Sequence, residues 1–240
     1  MDFAAGNYKL SFADSGKLKN LFFGDVSILK QTDYTVDLGD NSFGIEGWDE
    51  CFPTIAKFSN YPRLGHLVRM APEIIETPGY FEQVWHTEQY TARRHFELNA
   101  AADLVMTFIV KNISSEPMQY LWASHAIFDS YNLLELQFAH GGKFRDFNRN
   151  NTCSKFFVEA VEPIKLVRKD ILVQIKTDQP YWGIWLNRGG WPLAKPAGIC
   201  CVAVEATNRP AETPGSDQLD PGSTFQGNVT LSVLNSKEYL

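Results

Sequence analysis

At 240 residues, with 44% hydrophobic and 21% charged side chains, the chain can fill one large β domain or two of average size, and its composition excludes a disordered polymer. A formal charge of -6 without a block of consecutive Lys or Arg argues against a nucleic acid or an anionic membrane surface as partner and favours a neutral small molecule. One domain over residues 1–240 is the expectation.

The start, Met-Asp-Phe-Ala-Ala-Gly-Asn-Tyr, has no basic stretch followed by an apolar one, and no run approaches the length that crosses a bilayer, so a cytoplasmic location is expected. Cys51, Cys153, Cys200 and Cys201 have no CxxC spacing, which favours free thiols over disulfides or metal ligands. The Asn-x-Ser/Thr matches at Asn112, Asn150 and Asn228 carry no weight without an export signal.

Short runs rich in Val, Ile, Phe, Tyr and Trp recur between Gly, Pro, Asn, Asp and Ser clusters, the pattern of antiparallel strands. In chain order the predicted strands are Asn7 to Phe12, Asn20 to Leu29, Phe81 to His86, Thr91 to Leu98, Asp103 to Lys111 and Gln119 to Phe128. Ile171 to Lys176, Tyr181 to Leu186, Gly198 to Glu205 and Gln226 to Leu234 follow. The turn formers of Asn112 to Pro117 predict a hairpin pairing Asp103–Lys111 with Gln119–Phe128. Without helices between them such strands cannot build a parallel sheet, so an all-β, two-sheet antiparallel sandwich is expected. Gly44 to Pro78 and Asn208 to Ser223 read as long loops, where binding residues concentrate.

Four stretches carry candidate chemistry. In Gly47-Trp48-Asp49-Glu50-Cys51-Phe52-Pro53-Thr54-Ile55 the paired acids Asp49 and Glu50 could bind sugar hydroxyls, or form a solvated turn. His125 stands in an otherwise apolar or small run, on a strand face shared with Ala123 and Ile127; it is either a core histidine satisfied by one hydrogen bond or a functional group. In Trp182-Gly183-Ile184-Trp185-Leu186-Asn187-Arg188-Gly189-Gly190-Trp191 the rings could stack on a pyranose while Asn187 and Arg188 donate to its hydroxyls, although core packing also explains aromatics. Glu205 ends the apolar run Ile199 to Val204; a carboxylate there either pairs with a cation such as Arg209 or Arg188, or has a perturbed pKa suited to proton transfer. His86, His95 and His140 sit in polar surroundings and read as surface residues.

Taken together, Gly47 to Ile55, Leu64 to Leu67, Ser124 to Phe128 and Val202 to Pro210 resemble, in order and spacing, the motifs of the aldose 1-epimerase (galactose mutarotase-like) family. The resemblance implies a galactose mutarotase-like supersandwich, with Glu205 as base, His125 as the strand histidine and His66 as the loop histidine. Asp49, Glu50, Trp185, Asn187, Arg188 and Arg209 would bind the sugar; no motif matches the family's sugar-binding aspartate, for which position alone suggests Asp178.

Mutarotation opens a hemiacetal: the anomeric hydroxyl loses a proton while the ring oxygen gains one. The expected mechanism has Glu205 taking the C1 hydroxyl proton and cationic His125, on the opposite side, protonating the ring oxygen, with His66 polarising it. Glu205 and His125 would support one another's charge, and no metal or organic cofactor is required. Three alternatives remain open at this stage. The chain could be a non-catalytic carbohydrate-binding or regulatory protein, or a mutarotase for phosphorylated sugars using Arg63, Arg69, Arg188 or Arg209. It could also be an assembly module whose Trp182–Trp191 segment is an interface.

Overall fold

The computed structural model describes residues 1–32, 34–37, 42–77, 79–192 and 199–235. Two nine-stranded antiparallel sheets face each other. Across the first, the order is Asp2–Ala5, Tyr8–Phe12, Leu18–Phe23, Trp48–Cys51, Ala123–Asp129, Cys200–Thr207, Tyr181–Arg188, Thr152–Glu159, with Val26–Ser27 added to Leu18–Phe23. Across the second it is Gly142–Phe144, Leu133–Phe138, Ile164–Arg168, Ile171–Thr177, Thr224–Asn235, Leu104–Asn112, Tyr90–Leu98, Tyr80–His86, Glu73–Thr77. Two short ribbons, Thr35–Asp37 with Ser42–Gly44 and Met118–Gln119 with Gln218–Leu219, lie outside them. Among the described residues the one helix is a single 3-10 turn at Leu67–Arg69, and no helix is long and apolar enough to cross a membrane.

The alternation of side chains along each strand sorts residues onto the two faces of the first sheet. Trp48, Ala126, Phe128, Val202, Val204, Ala206, Trp182 and Ile184 point inward and join Phe81, Phe96, Phe108, Trp122 and Leu231 in the main core. Their neighbours in sequence point outward. There Ile127, Cys201 and Ala203 pack with Ile45, while Cys51 and Ala123 pack with Ile55, Leu64 and Leu121. The outer face is therefore roofed by the segments around residues 43–45, 53–64 and 211, and a site lies beneath that roof.

Several local expectations change. The run from Asn20 to Leu29 folds back at Gly24-Asp25 into two paired strands. The run from Gln119 to Phe128 breaks after Gln119 and resumes at Ala123, and Gly198 lies outside the described residues, the strand there starting at Cys200. Residues 112–117 do turn, but they do not make a hairpin. Leu104–Asn112 pairs with Tyr90–Leu98 and Thr224–Asn235 in one sheet, whereas Ala123–Asp129 pairs with Trp48–Cys51 and Cys200–Thr207 in the other. Turn chemistry reverses a chain without choosing its partner. Nor is Gly44 to Pro78 a loop throughout: it contains Trp48–Cys51, the 3-10 turn and Glu73–Thr77, while Pro78 lies outside the described residues.

One polar bridge joins the sheets inside the core. Arg94, 1% exposed, reaches from the second sheet to Glu50 of the first at 3.5 Å, and donates through Nε to Gln83 at 2.8 Å and through Nη2 to the carbonyl of Gly16. Glu50 accepts from Trp122 Nε1 at 2.8 Å and Ser124 Oγ at 3.0 Å. Burial pushes the Glu50 carboxyl up to about 7, against the opposing pull of Arg94 and of those two donors. The folded chain thus binds this proton more tightly than the unfolded chain, so the contribution favours folding below about 4.5 and is lost as pH rises through 7. Relative to wild type, Glu50→Gln should lack this decline in urea-unfolding stability between those pH values. Glu50→Ala, which strands the buried guanidinium, should cost about 3–5 kcal/mol.

Candidate functional site

Strand register builds the site. Asp49, His125, Glu205 and Gly183 are successive partners across four adjacent strands, so they form one row on the outer face. The next row carries Ile127, Ala203, Trp185 and Lys155. Gly183 leaves its strand bare beside Glu205: a Cβ there would stand 3.2 Å from Glu205 Oε2 and 3.1 Å from the Phe157 ring. Lys155 crosses that strand to bring Nζ within 2.8 Å of Glu205 Oε2 and 3.0 Å of Glu212 Oε1.

These groups line an open cleft of about 180 Å³. Its floor is His125, Glu205 and Lys155; its walls are Trp185, Trp191 and Ile45, which pack in one cluster, and Phe43, Ile55 and Leu64, which pack in another, together with Arg63 and Glu212. Apolar walls around a few convergent polar groups suit a ring with polar edges. Trp185 and Trp191 meet edge to face at 5.7 Å, and the Trp185 indole N–H donates to Cys153 Sγ at 2.9 Å. The opposite rim depends on Gly65, whose φ is +72°; a Cβ there would lie 1.9 Å from the carbonyl oxygen of Phe52. This close approach, reinforced by the His66 N–H to Phe52 carbonyl bond, sets Arg63 and Leu64 over the cleft.

His125 Nε2 lies 3.3 Å from Glu205 Oε1, so imidazole and carboxylate stand side by side, not on opposite sides of a ligand. Glu205 is 0% and His125 7% exposed; His125 Nδ1 has no hydrogen-bond partner within the protein, and the Glu205 oxygens meet Lys155 Nζ at Oε2 and His125 Nε2 at Oε1. A buried polar atom is rarely left without a partner, and here the His125 ring borders a cleft. Burial is the largest influence on His125 and holds its pKa below the ordinary histidine value; Glu205 pulls the other way and Lys155 offsets part of that pull. The expected mutual support of charge is thus outweighed, and the imidazole is neutral at neutral pH. Burial would also lower Lys155, but the Glu205 and Glu212 carboxylates prevail and raise it, so this side chain is the cation of the cleft floor.

Other predicted site residues sit elsewhere. Asp49 is in the row but is held by Lys17 at 2.9 Å, behind the lining of the cleft. Glu50 follows Asp49 on the strand and so faces the core, where it pairs with Arg94. His66 lies at the start of the 3-10 turn, packed edge-on against Tyr61 at 5.5 Å and outside the cleft lining. The amide of Asn187 is consumed by Trp191, donating to its carbonyl at 2.6 Å and accepting from its N–H at 3.1 Å; it positions that indole instead of meeting a ligand. Arg188 pairs with Asp146 at 2.9 Å, Arg209 with Asp217 at 2.7 Å, and neither lines the cleft. Asp178 accepts from Asn228 and Gln179 on the second sheet. Of the arginines considered for a phosphate, Arg63 alone reaches the cleft rim.

Two charged residues of the cleft are absent from the sequence reading. Lys155 lies in Thr152–Glu159, a strand not recognised in the sequence, although Cys153, Lys155 and Phe157 alternate as one face would. Glu212 lies in the Asn208–Ser223 stretch, where the sequence predicts a loop fit for binding, but nothing in the sequence singles it out.

No family model and no curated relative matches the sequence. Solved structures do match the fold. An Escherichia coli K12 protein provisionally named an aldose 1-epimerase superposes with a TM-score of 0.71 at 12% identity, covering 97% of each chain. A galactose mutarotase-like protein from Clostridium acetobutylicum gives 0.67 at 15% identity over 98% of this chain and 94% of that one. A galactose mutarotase related enzyme from Lactobacillus acidophilus gives 0.69 at 14% identity, covering 97% of each. The chain therefore has the galactose mutarotase-like fold, an all-β antiparallel supersandwich.

The electrostatics can be checked directly. In an NMR titration the His125 ring should have its midpoint below 6.5; Glu205→Gln should move it lower still, and Lys155→Met should move it up.

Proposed function

We propose that the chain is an aldose 1-epimerase-like protein that interconverts the α and β anomers of a free sugar in this cleft. The carrying observation is the buried Glu205 carboxylate, which lines an open cleft between two nitrogen-bearing side chains, His125 at 3.3 Å and Lys155 at 2.8 Å. The anomeric and ring oxygens share one carbon, so a base and an acid only a few ångströms apart can serve both at once. This chemistry asks for neighbours, and neighbouring strands supply them. Trp185 and Trp191 offer apolar faces to the ring, and the names of the structural neighbours point to the same chemistry.

The fold alone does not set an activity, and a non-catalytic sugar-binding protein would use the same cleft. Polarimetry on freshly dissolved α-aldoses separates the two. The wild type should accelerate mutarotation, and Glu205→Gln should lose about 10²- to 10⁴-fold while still binding sugar in calorimetry. Saturable binding by a wild type that adds nothing to the spontaneous rate would establish the binding protein instead.

A further inference from the structure

The expected acid, His125, is poorly presented for its task. Its Nε2 rests against Glu205 Oε1 at 3.3 Å and its Nδ1 is sealed from solvent without a partner. Lys155 differs on both counts. Its ammonium has three N–H bonds, of which Glu205 at 2.8 Å and Glu212 at 3.0 Å engage two, and its side chain is 17% exposed among the cleft-lining residues.

We propose that Lys155 is the general acid of the site, its third N–H directed at the sugar ring oxygen while Glu205 takes the anomeric proton. This assignment rests on the epimerase reading above and names a catalytic residue for it. The exchange balances. As the bond from C1 to the ring oxygen breaks, its electron pair stays on that oxygen, which takes a proton from Lys155 Nζ. The anomeric O–H pair becomes the second bond of the C1 carbonyl, and the proton passes to Glu205. The open-chain aldehyde then faces a neutral amine and a neutral carboxyl group. Attack of the freed hydroxyl on the other face of the carbonyl returns the hydroxyl proton to Lys155 and the Glu205 proton to the new anomeric oxygen. Nothing is consumed, and both groups end in the charge state in which they began.

The charge state agrees with the geometry. Glu205 from the Cys200–Thr207 strand and Glu212 from the following loop face the ammonium and favour its protonated form. His125 approaches from the Ala123–Asp129 strand, Cys153 and the Phe157 ring share the lysine's own strand face, the ring at 5.6 Å, and Arg63 stands at the rim. Lys17 and Asp49 lie farther along the row as a pair. Lys155 is thus charged throughout the neutral range, where His125 is not.

The test is polarimetric, on the full chain between pH 6 and 9, with the spontaneous rate subtracted at each pH. The wild-type excess rate should stay within about twofold over that range, since no acid is lost within it. Lys155→Arg keeps a cation beside Glu205 but cannot release its proton, and should lose about 10²-fold or more while still binding the sugar in calorimetry. His125→Asn should lose no more than about tenfold. A wild-type excess falling about tenfold per pH unit above the histidine range, or a Lys155→Arg variant within threefold of wild type, overturns the assignment and returns the role to His125. If Lys155→Arg does not fold, the wild-type profile decides alone. A wild type with no excess rate at any pH overturns the epimerase reading and this assignment with it.

Discussion

Two carboxylates that follow one another on a strand cannot share a face. Asp49 and Glu50 obey that constraint at the centre of the molecule, and much of the rest is arranged around it. The pleat sends Glu50 inward, where only a buried cation and several donors make its position tolerable, and Arg94 reaches over from the opposite sheet to meet it. It sends Asp49 outward into the row that continues through His125 to Glu205, where Lys17 meets it. One acid ties the sheets together and its neighbour ends the polar row behind the cleft. Both depend on the Trp48–Cys51 strand lying beside Ala123–Asp129.

The outer row has its own logic. Cross-strand neighbours on one face are close enough to interact, which makes a sheet an effective device for holding an acid and a base in contact. His125 and Glu205 owe their 3.3 Å approach to register alone. Lys155 comes from three strands beyond Ala123–Asp129 and two beyond the strand of Glu205, and it needs Gly183 to leave the intervening strand bare. The site therefore rests on the rigid part of the fold for its floor and on loops only for its walls.

Much of this was legible in the sequence, and the rest was hidden for identifiable reasons. His125 and Glu205 stood out because polar groups in apolar strands demand an explanation, and the period of two correctly placed His125 with Ala123 and Ile127 on the outer face. The antiparallel sandwich was likewise readable from short apolar runs. Register was not. Nothing local in Thr152–Glu159 says that Lys155 meets Glu205, because the two are joined through a third strand. The adjacency of Asp49 and Glu50 suggests a unit that strand alternation separates, and Asn187 suggests a ligand donor although both ends of its amide serve the backbone of Trp191. The 112–117 turn illustrates the same limit, since a reversal carries the chain to the other sheet as readily as to the neighbouring strand.

Glu212 brings the walls and the floor under one control. Its carbonyl oxygen accepts from the backbone of Ile55 at 3.1 Å and of Ala56 at 2.8 Å, and from Thr54 Oγ1 at 3.2 Å, while its carboxylate holds Lys155. A single residue thus latches two rim segments to each other and to the ammonium beneath them. The position of the rim and the position of the ammonium are therefore set by one residue.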